Sequence, residues 1–213
     1  MITFIVSALA GNSGSPSIAS KVVGGKVTNT NKESSPHPPC DSQIRCHQEV
    51  YYNQCDSRWS SHMYSSKNNK AKTICNCGCG PSAMAMVVST YANRAVTPVE
   101  MAEYSMKHGM VQDGAGTYWT FFCSAAKAYG LKCQQLDCRG NMQKIREAID
   151  GGALGIASMS KGQWTQGGHF ISVNSFDGNH IWAHDPNYRS GKKSSQLISQ
   201  FEKECKQFWI IRK

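Results

Sequence analysis

The segment GPSAMAMVVSTYAN, residues 80–93, constrains the fold of this chain most strongly. It consists of good helix formers with apolar side chains at helical spacing, and Pro81 lies in the first turn, where its missing N–H costs nothing. The pattern predicts a buried helix that begins just after Cys79. A buried helix needs a core around it, and 213 residues are enough for one such domain.

The apolar pattern changes from helical to strand-like along the chain. Further helices are predicted from Thr97 through VEMAEYSMKHG, over WTFFCSAAKAYG and over residues 141–150. The later segments ALGIASM, GHFISVNSF, HIWAHD and QFWIIRK are short apolar runs, which predict strands joined by tight turns such as Asp177-Gly178. Helices followed by strands predict an α+β domain with the helices packed on an antiparallel sheet.

The N-terminal residues 1–39 differ in composition from the rest. Gly, Ser, Thr, Asn, Lys and Pro dominate, with almost no bulky apolar residue after Val27, which predicts a flexible segment or linker followed by a folded domain over residues 40–213. The opening MITFIVSALAGN carries an Ala8-x-Ala10 pattern that resembles a signal cleavage site but lacks a basic region before it. It fits equally the tail of a longer secreted protein.

Charge and cysteine content limit the function classes. The 23 Lys and Arg against 14 Asp and Glu give a net charge of +9, which favours binding to polyanions such as cell-wall polymers. We expect no nucleic-acid partner, because the sequence has no run of five basic residues and no basic-plus-aromatic motif. Ten cysteines favour export, and no apolar run is long enough to predict a membrane span.

Three cysteines at alternate positions, Cys75, Cys77 and Cys79, precede the predicted buried helix. A thiol acts as a nucleophile only as thiolate, which the N-terminus of a helix and a nearby imidazolium both favour. Cys79 meets the first condition, and we expect Gly78 and Gly80 to leave room for a substrate backbone. The pattern also fits three structural cysteines. A metal-binding module is a more remote alternative, because the CxxC pairs typical of zinc sites are missing here.

Three further residues are candidates for a site with Cys79. His169, in QGGHFISV, follows two glycines and begins a predicted strand, although a histidine in this position can equally be structural. Asp185, in HDP, ends the next strand, and antiparallel pairing would put it beside His169. Gln54, in YYNQCDSRW, could donate its amide N–H to a developing oxyanion beside the backbone N–H of Cys79. Gly168 would leave space for substrate next to the imidazole.

The segments NQCDSRW, GCGPSAMAMV, GAGTYWTFF, GGHFISV and HDPN, in that order, resemble the papain-like cysteine peptidases related to the bacteriocin leader-processing peptidases, in the branch without a transporter. The resemblance covers residues 51–213 and implies a papain-like cysteine peptidase fold. It implies Cys79 as nucleophile and His169 as general base and then general acid. Asp185 would orient the imidazole, and Gln54 would be the oxyanion donor. Neither a metal nor a cofactor is expected.

The sequence departs from the family pattern at three places. Cys55 follows Gln54, Cys75 and Cys77 stand close to the nucleophile, and His184 stands where the family more often has a polar amide residue. A bridge from Cys55 to Cys75 or to Cys77 would clamp the loop of Gln54 to the segment that carries Cys75, Cys77 and Cys79, which we call the nucleophile loop. Alternation along a strand should turn His184 and the following aspartate to opposite faces.

The segment GAGTYWTFF is predicted to open a helix that lines the cleft. Tyr118 and Trp119 are candidates for substrate contact, and an equally good interpretation makes them core aromatics. The remaining cysteines of the helical half and the last strand are predicted to be buried thiols or to form one or two bridges: Cys123, Cys133, Cys138 and Cys205.

We therefore expect a thiol peptidase whose acyl enzyme is released by water. The resemblance implies an exported bacterial or phage enzyme that cuts peptides of the cell wall, with peptidoglycan stem peptides as substrate. Such a protein would be secreted or cell-wall associated, alone or as part of a larger exported or phage protein.

Two other enzyme classes fit the same residues. Double-glycine leader peptidases normally precede membrane spans and an ATP-binding cassette, and the sequence contains no GxxxxGK[ST] loop. A papain-like acyltransferase or transglutaminase would use an amine in place of water, and the sequence does not separate it from a hydrolase.

Overall fold

Most of the helical residues precede most of the strand residues along the chain, as the apolar pattern predicts, although α5 and α6 lie among the strands. The computed structural model describes residues 50–92, 94–113, 116–189 and 194–213. The helices are α1 (Ile74–Cys77), α2 (Cys79–Ala92), α3 (Pro98–Lys107), α4 (Thr120–Ala128), α5 (Met142–Asp150) and α6 (Ile198–Glu204). The strands are β1 (Val111–Gln112), β2 (Gly116–Thr117), β3 (Lys132–Asp137), β4 (Leu154–Met159), β5 (His169–Asp177), β6 (His180–His184), β7 (Ser195–Leu197) and β8 (Cys205–Arg212).

The four helices predicted from the sequence all form. In α2, the ten consecutive residues 80–89 are buried, because the helix is apolar or small on every side. The side chain of Thr97 caps α3 by accepting a hydrogen bond from the backbone N–H of Glu100, and Pro98 occupies the first turn. The α+β class with helices packed on an antiparallel sheet is confirmed.

Six strands form one antiparallel sheet in the order β3-β8-β4-β5-β6-β7. β5 and β6 form the predicted hairpin, but Asp177 pairs with His180, so the turn residues are Gly178 and Asn179, one position later than expected. Gly178 has a φ of 50°, a left-handed conformation that glycine adopts without strain.

Six elements were not predicted: the helices α1 and α6 and the strands β1, β2, β3 and β7. β3 and β7 are the edge strands of the sheet, and the side chains of β3 are exposed or half-buried, so its sequence KCQQLD lacks apolar alternation. β7 and α6 have three and seven residues, too few to show a hydrophobic period.

The sheet separates two hydrophobic cores. Side chains of β8 alternate between them: Trp209 and Ile211 pack toward α2 and α4, whereas Phe208 and Ile210 pack toward α5 and α6. We call these sides the α2 face and the α5 face. The α5 face is closed by residues such as Ile149 of α5.

Two disulfides tie the edge of this sheet to its surroundings. Cys123 of α4 is bonded to Cys133 of β3, and Cys138 is bonded to Cys205 at the start of β8. These four cysteines therefore form two bridges, which was one of the two expectations.

The predicted N-terminal segment, residues 1–39, and the predicted start of the domain at residue 40 lie outside the described residues, so that boundary stays a prediction. Within the described ranges, every helix is too short or too polar to cross a membrane.

Candidate active site

Cys79 is the first residue of α2, and the backbone around it is closely packed. A Cβ atom at Gly78 would lie 2.6 Å from the carbonyl oxygen of Ile74 in α1, and one at Gly80 would lie 2.5 Å from Oγ1 of Thr117. Both glycines are buried. The expectation that they leave room for substrate is therefore corrected, because protein atoms fill the space beside each glycine. The missing side chain lets Gly78 lie against Ile74 of α1 and lets Gly80 of α2 lie against Thr117 of β2.

His169 and Asp185 meet at one end of the sheet, where β5 begins and β6 ends. The imidazole Nε2 of His169 lies 2.6 Å from Oδ1 of Asp185. The same Oδ1 accepts the backbone N–H of Asn187 at 2.7 Å. Asp185 is fully buried and His169 is 8% exposed, so water does not weaken this contact.

Cys79 and His169 are hydrogen-bonded through their side chains. Because Nε2 faces Asp185, the nitrogen that faces the sulfur of Cys79 is Nδ1. The sulfur is also hydrogen-bonded by the backbone of Phe170 and Gly80. His184, the other histidine of this region, lies opposite Ser172 in the pairing of β5 with β6. Its ring packs edge-on against the ring of Tyr51, with 5.5 Å between the ring centroids. The imidazole beside Cys79 is therefore that of His169.

The contacts shift both pKa values toward a thiolate–imidazolium pair. Burial alone would raise the pKa of Cys79, but the hydrogen bond and charge of His169, with the two backbone bonds, lower it below the ordinary thiol value. Burial likewise opposes the imidazolium, yet the hydrogen bond that it donates to Asp185, followed by the hydrogen bond and charge of Cys79, raises the pKa of His169 to about 10. Both shifts favour the thiolate–imidazolium form of the pair over the neutral form.

Gln54 reaches the nucleophile loop from the segment that precedes it. Its backbone N–H donates to the carbonyl of Pro186 at 2.7 Å, and its side-chain Nε2 donates to the carbonyl of Cys75 at 2.5 Å. Cys55 is bonded to Cys75 in a disulfide. The predicted clamp between the two loops is thereby confirmed, with Cys75 rather than Cys77 as the partner.

Cys77 and Cys79 are the free thiols of the described residues, and their environments differ. The thiol of Cys77 donates to the carbonyl of Thr73 at 3.1 Å, and burial raises its pKa. With Cys75 in a disulfide, the three alternate cysteines do not form one metal site. Across the described part of the chain, no group of three or more His, Cys, Asp or Glu side chains could hold a metal ion.

The candidate substrate-binding residues lie on the surface next to this site. Tyr118 is 46% and Trp119 41% exposed, so the interpretation as core aromatics does not hold. Trp119 packs edge-on against Trp209 at 6.3 Å, and Trp209 contacts the ring of Phe170, the residue after His169. Gly168 is exposed, with open space where a side chain would be. A role of these residues in substrate binding stays a prediction.

Residues that align the site were missed by sequence reasoning. The Tyr51 hydroxyl donates to the backbone carbonyl of Asp185 at 3.0 Å, and Asn53 Nδ2 donates to the carbonyl of Tyr188 at 2.8 Å. These two hydrogen bonds hold residues 51–53, which precede Gln54, beside residues 185–188, which follow β6. The only signal was their position, in YYN directly before Gln54.

Comparison with known proteins identifies the family of the chain. The sequence model of the Peptidase C39-like family matches residues 48–213, which is more than half of the chain. No curated protein matches the chain significantly.

Three solved structures show how far the likeness extends. The peptidase domain of Streptococcus ComA, a bifunctional ABC transporter of a quorum-sensing pathway, has a TM-score of 0.50 and 19% identity over 63% of this chain and 90% of that domain. A protein from Bacillus anthracis, described as C39-like, has a TM-score of 0.48 and 13% identity over 65% and 90%. A double-glycine-motif protease from an AMS/PCAT transporter, solved with its leader peptide, has a TM-score of 0.44 and 19% identity over 63% and 83%.

At such identities the likeness to ComA shows a shared fold. The match of the family sequence model is what assigns the family. The chain belongs to the Peptidase C39-like family and is a papain-like cysteine peptidase.

Proposed function

We propose that Cys79, His169 and Asp185 are the catalytic residues of this peptidase, with Gln54 and the backbone N–H of Cys79 as oxyanion donors. The observation that carries the proposal is a continuous line of hydrogen bonds. It begins at the sulfur of Cys79, the first residue of α2, and passes through His169 to the buried Asp185. The helix N-terminus and the imidazolium both stabilise the thiolate. Asp185 holds the ring in the orientation that this pairing needs.

The first half-reaction forms an acyl enzyme. The thiolate of Cys79 attacks the carbonyl carbon of the scissile peptide bond. A C–S bond forms, and the π electron pair of the C=O bond moves to the carbonyl oxygen. That oxyanion accepts hydrogen bonds from the Cys79 backbone N–H, which a helix leaves without an internal partner, and from Nε2 of Gln54. When the intermediate collapses, the C–N bond breaks and the His169 imidazolium gives its proton to the leaving amine.

The second half-reaction releases the acyl group. Neutral His169 takes a proton from water, and the resulting hydroxide attacks the thioester carbon. The C–S bond breaks, a carboxylic acid leaves, and the thiolate–imidazolium pair is restored. An amine in place of water would give transfer instead of hydrolysis through the same residues.

We further propose cell-wall peptides as the substrate class and an exported location for the protein. Three disulfides in the described residues are typical of an oxidising compartment. The net charge of +9 favours residence on anionic cell-wall polymers. The exposed Tyr118 and Trp119 beside the site offer an apolar shelf for a peptide side chain.

Digestion of purified peptidoglycans, followed by mass analysis of the released fragments, tests this proposal. Wild type should produce new amine and carboxyl ends within the stem or bridge peptides. Cys79→Ala should produce none, and Cys77→Ala, a matched control two residues away, should cut like wild type. Cleavage by both alanine variants would contradict the assignment of Cys79.

Parallel incubations separate the alternative substrates. Cleavage after a double glycine in leader peptides, without any release from cell walls, would support the leader-peptidase alternative. A product heavier by the mass of an added amine would identify a transferase.

A further inference from the structure

The Cys55–Cys75 disulfide lies directly beside the proposed oxyanion donor. Cys55 is the residue after Gln54, and the carbonyl of Cys75 accepts the side-chain N–H of Gln54 at 2.5 Å. One covalent bond and one hydrogen bond therefore join the same two loops, four residues before the nucleophile Cys79.

The hydrogen bond to Cys75 determines which way the Gln54 amide points. Gln54 is 5% exposed, and its Oε1 has no hydrogen-bond partner within the described ranges. Turning the amide over would put Oε1 against the carbonyl of Cys75, two acceptors in contact, with no donor between them. The contact with Cys75 thus keeps Nε2 toward the nucleophile loop and leaves its second N–H for the oxyanion.

The helix that carries this carbonyl has little stability of its own. α1 has only four residues, Ile74–Cys77, and a helix of one turn does not persist without tertiary contacts. The backbone N–H of Cys75 makes one long bond of 3.2 Å to the carbonyl of Ser60. The covalent link to Cys55 is the stronger restraint on the distance between the carbonyl and Gln54.

We propose that the Cys55–Cys75 disulfide is a positioning element of the active site, which holds Gln54 at the oxyanion and makes catalysis require an oxidised pair beside a reduced Cys79. This inference rests on the proposed function. A dithiol such as dithiothreitol would reduce the S–S bond to two thiols while it becomes a cyclic disulfide. The result is a thiol peptidase that reductant slows although its nucleophile stays intact.

Two reactions of Cys79 separate oxyanion positioning from thiolate formation. Acylation by p-nitrophenyl acetate passes through an oxyanion, whereas alkylation by iodoacetamide does not. In the double variant Cys55→Ser/Cys75→Ser, acylation and kcat should fall at least about tenfold, and by no more than the roughly 10²- to 10³-fold cost of losing an oxyanion donor entirely. Alkylation at Cys79 and KM should change less than about twofold, because the groups that stabilise the thiolate remain.

The other engineered variant controls for loss of a disulfide as such. Cys123→Ser/Cys133→Ser removes the bridge between α4 and β3 and should leave the acylation-to-alkylation ratio at the wild-type value. All assays are run below the melting temperature of each variant, checked by circular dichroism. Dithiothreitol should lower acylation in wild type and in this control, and have no effect on Cys55→Ser/Cys75→Ser.

A double-mutant cycle tests whether the disulfide acts through Gln54. With Gln54→Ala already in place, loss of the disulfide should change kcat by less than about twofold, since the same interaction cannot be lost twice. Equal losses in both backgrounds would overturn the inference. A parallel fall in acylation and alkylation would also overturn it, because it would mean general damage at Cys79.

Failure of the proposed function gives a different result. If wild type is alkylated at Cys79 but is neither acylated nor active on peptides, the peptidase assignment fails and the inference falls with it. If wild type is acylated and Cys55→Ser/Cys75→Ser matches it, the positioning inference fails while the peptidase assignment stands.

Discussion

The two faces of the sheet are packed with different kinds of side chain. The α2 face is rich in aromatic side chains, such as Tyr51, Phe122 and Trp209, and it holds the helix whose first residue is Cys79. The α5 face is closed mostly by aliphatic residues, such as Ile145 and Ile149 of α5 and Ile171 of β5. We therefore expect packing on the α2 face to set both stability and the position of the nucleophile, and packing of α5 to contribute to stability.

Substitution of Cys79 tests the strongest form of this contrast. Cys79→Ala should lower kcat by about 10⁴-fold or more, because the covalent route is lost, while the free energy of unfolding changes little for a half-buried side chain at a helix end. Peptide cleavage and chemical denaturation measure the two quantities. Residual activity within tenfold of wild type would remove Cys79 from the mechanism.

Substitution of Asp185 should give the next largest effect. Asp185→Asn removes the charge that orients and stabilises the His169 imidazolium, and kcat should fall by about 10²- to 10⁴-fold. Iodoacetamide alkylation at neutral pH should slow as well, because a less basic imidazole stabilises the thiolate less. Normal alkylation and normal kcat in this variant would show that another group orients His169.

The pH profile sharpens the assignment of the ion pair. Activity should rise as Cys79 loses its proton below the ordinary thiol range and fall as His169 loses its proton near pH 10. Asp185 raises the pKa of His169, so in Asp185→Asn the descending limb should move to lower pH. A descending limb that stays in place would contradict the contact between the two residues.

Core substitutions compare the two faces directly. Ile149→Ala on the α5 face should reduce the free energy of unfolding by about 2–5 kcal/mol and leave the kcat of the folded enzyme unchanged. Met84→Ala, equally buried in α2, should cost a similar amount and also lower kcat, since α2 places Cys79. If both variants keep wild-type kcat, position on the α2 face has no special link to catalysis.

The smallest effect is expected on the exposed shelf. Trp119→Ala removes apolar contact area beside the site and should raise KM about fivefold, equivalent to about 1 kcal/mol of binding, with kcat nearly constant. Leu197→Ala, which truncates another exposed apolar side chain, is the matched control and should leave KM unchanged. If both variants have the KM of wild type, Trp119 has no role in substrate binding.

Local patterns identified much of this site. The helix of residues 79–92 follows from its apolar spacing and from Pro81, and His169 and Asp185 follow from their places at the start and end of two consecutive strands. These features depend on neighbours in sequence, which is why periodicity and turn residues predict them. The edge strand β3 was not predicted, because an edge strand buries little of its surface and its sequence therefore shows no apolar alternation.

Sequence alone determined the α+β class, the buried helix next to Cys79 and the order of the four candidate site residues, because each depends on short-range spacing. Only the tertiary structure decided that Cys55 bonds Cys75, that Gly78 and Gly80 make room for protein atoms, and that Tyr118 and Trp119 face outward. These outcomes depend on which distant segments pack together, and contacts between residues far apart in the chain leave no periodic signal in the sequence.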